Sequence, residues 1–158
     1  MEKNRKIAAG SVLTIAMLIL SAAAYIVYRT NIAGAGYFQN ATVPLASKLT
    51  LTAMLIIALA LVAGQFELDG IAGIILNIVT GILRIAAPAV CIAAMMYLLN
   101  GRIEGFAFIY MSNEEVLHEV QTAANLASAH SAIANIVLLG VSAIVGIVGA
   151  FFSMKKCK

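Results

Sequence analysis

Tryptophan is absent from this 158-residue chain, and charge is scarce: 11% of residues are Asp, Glu, Lys or Arg, against 63% hydrophobic. A soluble domain of average composition carries about 25% charged residues. Charge this sparse means that water is not the solvent for most of the side chains. Without Trp, an interfacial aromatic belt has to use Tyr and Phe. Tyr25, Tyr28, Tyr37, Tyr97 and Tyr110 all fall in or near one predicted side of a membrane, the outer one.

Cysteine is scarce too. Cys91 lies inside the third apolar run and Cys157 lies beside the C-terminus, so neither falls in a predicted outer loop. That placement argues against an external disulfide within the chain. It therefore argues against proteins that staple their outer loops, and against disulfide oxidases that need cysteine pairs on the oxidising side. Cys157 reads as a free thiol, with palmitoylation as the alternative. A nucleotide-binding loop, an HExxH motif and a serine nucleophile with an ordered base are also missing. No span carries the embedded carboxylate that drives proton-coupled exporters. The chain leans away from an enzyme, with no catalytic residue and no cofactor assigned. The net charge of +3 is no nucleic-acid signal. It comes largely from short clusters, Lys3, Arg5 and Lys6 before the first apolar run and Lys155, Lys156 and Lys158 after the last. Such clusters set topology and touch anionic lipid headgroups.

What is present is hydrophobic length. A bilayer core of about 30 Å needs about 20 apolar residues in helix. Four runs qualify: residues 7–28, 47–64, 75–99 (within an apolar stretch starting at Ile71) and 132–153. The first has the basic start of a signal peptide, but its apolar stretch continues past Ala22, Ala23 and Ala24 into Tyr25, Ile26 and Val27, which predicts a retained anchor helix. Ser47 reads as the N-cap of the second span, after Pro44. The expected fold is an all-α integral membrane protein, residues 1–158 forming one domain, with four transmembrane helices in a bundle. An even number of spans puts both termini on one side. That side holds most of the basic residues, so it is predicted to be cytoplasmic in a multi-pass protein of the plasma membrane. Residues 29–46 and 100–130 then form the outer loops.

Arg84 is the only charge between Ile71 and Leu99. Steps of three or four residues place Asn77, Thr80, Arg84, Pro88 and Cys91 on one helical face, an intramembrane polar face that should point at protein or water. Two readings stay open. If the third span begins near Gly81, Arg84 is an interfacial anchor on the cytoplasmic side. If Arg84 lies deep, no acid in any span can pair with it. Its partner is then a carbonyl or other polar group, water, an anionic ligand or lipid, or an acid on another protein. Ser142, Gly146 and Ala150 repeat small residues at four-residue spacing, a helix-packing stripe read first as intramolecular and second as a homo-oligomer face.

The second outer loop is the better functional candidate. Ser112 with Glu115 matches a capping box. Val116, Val120, Ala123 and Ala127 form an apolar stripe beside Glu114, Glu115, His118 and Glu119, so an amphipathic outer helix is expected over residues 113–128. It is a candidate partner-binding surface. Glu115 and His118 have the spacing of half a carboxylate-bridged metal motif. Such sites need a second copy of that motif, and the chain has none, so no metal is assigned. Asn40-Ala41-Thr42 is a glycosylation sequon read as chance.

These features favour an accessory or scaffold membrane protein. Its expected partners are membrane lipids and another membrane or surface protein, or itself as a homo-oligomer, with no nucleic acid. The alternative is an oligomeric small transporter or channel with Arg84 lining an anion or polar-solute path.

Overall fold

The computed structural model describes residues 8–66 and 68–154. The terminal basic clusters and Cys157 lie outside the described residues. The chain is all-helical, with α1 (Ala9–Ala33), α2 (Pro44–Ala63), α3 (Gly70–Asn100), α4 (Ile103–Met111), α5 (Glu114–Val120) and α6 (Ala123–Ala150). Four of these, α1, α2, α3 and α6, are long and apolar enough to cross a membrane. Each of the four packs on two others: α1 on α6 and α2, and α3 on α2 and α6.

The helix ends differ from the sequence expectation for local reasons. α2 starts at Pro44 rather than at Ser47, with Val43 as its N-cap. A proline at the first helical position loses no bond, because that N–H has no intrahelical acceptor. The expected outer helix over residues 113–128 is instead two helices. α5 ends at Val120, and Thr122 starts α6 by accepting a hydrogen bond from Asn125 N at 3.2 Å. Asn125 in turn donates from its side chain to Val120 O at 2.8 Å, which closes the break. The fourth long helix therefore begins at Ala123, not near residue 132. The cap of α5 is Asn113, whose side chain accepts from Val116 N at 3.1 Å. Ser112, the expected cap, donates back to Phe108 O at 2.8 Å instead. The apolar stretch after Gly101 also folds as a helix, α4.

Packing is set by small residues. Ala24, Ala46, Ala53, Ala60, Ala94 and Ala132 are at most 2% exposed. Small side chains let backbones approach closely enough for polar groups to meet across helices. Ser21 Oγ and Ser142 Oγ are 2.7 Å apart, and Ser142 also donates to Met17 O at 3.1 Å. This joins α1 to α6. Cys91 Sγ lies 3.7 Å from Ser21 Oγ and brings α3 to the same point. A side chain on Gly146 would run into Met17 Sδ and Pro88 Cβ. Ser142 and Gly146 are buried, while Ala150 is only half-buried. The inward stripe instead continues through Gly149.

At the other end of the long helices, residues 34–43 fold over α6. Gly36 has φ +128°, and a Cβ there would lie 2.6 Å from Ala124 O, so this turn requires glycine. Ser128 Oγ donates to Asn31 Oδ1 at 2.9 Å and accepts from Phe38 N at 3.3 Å. These bonds seat Phe38 in a small core with Ile109, Ala129 and Ala132, beneath α4.

Candidate functional site

Arg84 sits within hydrogen-bond reach of the carboxyl end of α6. Its Nη2 donates to Gly149 O, and to Phe152 O at 2.8 Å. Those carbonyls are at and just past the end of α6, where intrahelical donors run out. A helix carboxyl end also carries partial negative charge, so a cation is favoured there. Gly10 N donates to Ser153 O at 3.2 Å, and Ser11 Oγ to Met154 O at 3.2 Å. Arg84, the first turn of α1 and the last turn of α6 therefore share one level. The guanidinium finds its acceptors among this chain's own carbonyls. It also lines a cavity of about 10 Å³ with Thr14, Met17, Ile57, Ala60, Ala87 and Gly146, room for roughly one water.

The polar face predicted around Arg84 is only partly inward. Thr80 and Pro88 are buried, and Thr80 donates to its own helix at Leu76 O, 2.8 Å away. Asn77 is exposed. So are nearly all its neighbours, among them Ile71, Ile74, Ile75, Ile78 and Ile82. Only Gly73 is buried between Gly70 and Val79, and it packs on Leu68 of the chain's own preceding segment. The stretch of α3 before Arg84, about 21 Å at ~1.5 Å per residue, is thus an apolar arm. It lies on the far side of Arg84 from the helix-packed part of α3.

The expected outer-helix residues Glu114, Glu115, His118 and Glu119 are all exposed on or beside α5, which buries no residue. Glu115 and His118 join no group of three or more His, Cys, Asp or Glu able to hold a metal among the described residues. Glu104, Ile103, Phe108 and Met111 of α4 are exposed as well.

The residue that sequence reasoning passed over is Arg102. In the sequence it is one basic residue beside a glycine at the end of an apolar run. In the structure it is 1% exposed, the largest fully buried side chain among those described. Its Nε, Nη1 and Nη2 are all buried with no hydrogen-bond partner. The guanidinium carbon lies 4.4 Å from the centre of the Phe38 ring, a cation–π contact that serves one face of the group. Burial pushes its pKa down, and electrostatic interaction with Tyr28 opposes that shift. The group nevertheless stays a cation, since arginine does not deprotonate in proteins. Tyr28 accepts from Val43 N at 2.7 Å, tying α1 to the start of α2 beside this site. No sequence signal marked Arg102, because Phe38 and Tyr28 come from segments far away in the chain.

Comparison with protein-family models, with curated proteins and with solved structures found no match.

Proposed function

We propose that this chain is a four-span integral protein of the cell membrane. Its four long helices form one bundle, both termini are cytoplasmic, and its role is to bind another membrane protein as an accessory subunit. The two arginines support a placement in the bilayer. From Arg84 to the end of α3 at Asn100 is about 25 Å of helix, close to the hydrocarbon thickness of about 30 Å. Arg84 then lies at the inner boundary and Arg102 at the outer one. Arg84 would serve the carboxyl end of α6 on the inner side. Arg84 is then an interfacial anchor rather than a charge at mid-membrane.

The observation that carries the accessory role is the apolar arm of α3. The helix is 31 residues long, about 46 Å, and spanning about 30 Å with all of it would need a tilt beyond the usual range of roughly 0–40°. Isoleucines exposed along an arm that leaves the hydrocarbon need a cover, and a hydrophobic groove on a partner supplies one. The acidic exposed face of α5 offers a second contact on the opposite side of the membrane. Photo-crosslinking residues placed at Ile74 and Ile78 in native membranes test this. The reading expects a protein adduct of one size at both positions and none at Ile19, an exposed position on α1. Adducts with lipid alone at all three positions would contradict it.

A second reading rests on Arg84 lining the small cavity between the helices. There Arg84 lines a path for anions or polar solutes through an oligomer. Proteoliposome flux that is lost in Arg84→Gln would favour it, and absence of flux for every anion tested would retire it.

A further inference from the structure

Asn135 is 2% exposed on α6, between Ala134 and Ile136. Its side-chain amide offers two donors and an oxygen with two lone pairs. Among the described residues none of these meets a partner. A buried amide without a partner is costly, because it has given up water and gained no bond in return. Unlike the Arg102 guanidinium, this amide is not sealed off. Neither its nitrogen nor its oxygen is among the atoms that lack both accessible surface and a partner. In a residue this buried, the surface that remains faces a space inside the protein.

Asn135 lines a cavity of about 10 Å³ together with Tyr25, Tyr28, Ser47 and Thr50. That volume has room for roughly one water. Leu98 of α3 borders it as well, so all four long helices contribute a wall. Ser47 and Tyr25 make no side-chain hydrogen bond among the described residues. Thr50 Oγ1 donates to Ala46 O at 2.9 Å, and Tyr28 Oη accepts from Val43 N at 2.7 Å. Thr50 therefore keeps lone pairs to offer, and Tyr28 keeps its proton. No charged side chain lines the space. On the side toward Arg84 the helices close at Ala24, Ala53 and Ala94, each 0% exposed.

We propose that this cavity is a binding site for a single water molecule, anchored by Asn135 and tying α6 to α2. The size of the space sets the size of the ligand. The neutral lining makes it an uncharged one, since an ion here would have no countercharge. Water both donates and accepts, as the Asn135 amide does, and buried waters make about three hydrogen bonds to groups otherwise unsatisfied. The tie matters because α2 and α6 lie across the bundle from each other, each packed on α1 and α3. Among the described residues no direct hydrogen bond joins them, so the water supplies the polar link that the protein's own groups are too far apart to make. The site is separate from the arm and from Arg84, so its success or failure does not bear on the proposed partner.

The test uses the full chain in lipid bicelles, with the asparagine side-chain amides labelled with nitrogen-15. Magnetisation transfer from water to each amide is recorded in the laboratory and rotating frames, which separates direct contact from proton exchange. The proposal expects direct contact with a long-lived water at the Asn135 amide. The Asn135 signal is assigned by its loss in Asn135→Leu. If that variant does not fold, Ser47→Ala keeps the amide and also assigns it, and should shorten the residence time of the water at least threefold. A crystal structure supplies an independent reading, one water oxygen within hydrogen-bond distance of the Asn135 side chain. An Asn135 amide with no water contact, a dry cavity, would overturn the proposal. So would a residence time unchanged in Ser47→Ala, or an Asn135 signal that shifts with sodium concentration and shows no water contact, which would make the ligand a cation.

Discussion

Replacing Arg84 by methionine separates two accounts of this residue by the sign of the stability change. Methionine keeps much of the length of the side chain and removes the charge and the donors. In the structure Nη2 serves two carbonyls at the end of α6, Gly149 O and Phe152 O. Hydrogen bonds involving a charged group contribute about 1.5–3 kcal/mol each in water-soluble proteins. Interhelical bonds in membranes average nearer ~0.6 kcal/mol, with a maximum of ~1.7. Arg84 is half-buried, so the lower scale applies, with a helix-end charge term of about 0.3–1 kcal/mol added. The expected loss is therefore about 1–3 kcal/mol. A guanidinium held at mid-bilayer costs ~2.5–3.5 kcal/mol on insertion scales. Removing it from there would offset the lost bonds and leave the variant equal to or more stable than wild type. Reversible unfolding in lipid bicelles reads the difference. Arg84→Lys, which keeps the charge without the planar fork, should fall between the two. An Arg84→Met variant more stable than wild type would refute the capping role.

Further outcomes follow from the same contacts. Gly10→Ala should cost about 1–3 kcal/mol, because its Cβ would lie 2.5–2.6 Å from the backbone oxygens of Phe152 and Ser153, which cannot swing aside. Gly146→Ala should cost less than Gly10→Ala in the same unfolding assay, since its closest obstruction is the flexible Met17 thioether. Ser142→Ala removes the bonds to Ser21 and Met17. It should destabilise by roughly 0.6–1.7 kcal/mol, with Ser21→Ala non-additive in a double-mutant cycle. Asn113→Ala should unravel α5 and raise amide exchange over Glu114–Val120, whereas Ser112→Ala should leave that exchange close to wild type, because the cap is Asn113.

The four long helices were legible because length and hydropathy suffice to find them. Their ends were less so. The stripe Val116, Val120, Ala123 and Ala127 keeps helical period straight through the break at Gln121 and Thr122, so periodicity alone merges α5 with the start of α6. The deciding signal was Thr122 as a cap, a residue type too common to stand out. Pro44 at a first helical turn was readable and was passed over in favour of Ser47. For Arg84 the sequence posed the right question, but its acceptors are backbone carbonyls of α6, which carry no residue signature. Arg102 was invisible for a related reason. Its burial depends on Phe38 from the first loop and Tyr28 from α1, and nothing local at Gly101-Arg102 foretells either.

The central claim is that the bilayer lies between Arg84 and Arg102, leaving the first part of α3 as an arm beyond it. Nitroxide labels at the exposed α3 positions Ile74, Ile78, Ile85, Ile92 and Met96, on the reconstituted chain, report depth through the balance of oxygen and polar-reagent collisions. The account predicts the deepest signal at Ile92, about midway between the two arginines, with Ile85 shallower and Ile74 outside the hydrocarbon. A depth maximum near Ile85 instead would put Arg84 at the bilayer centre and contradict the account.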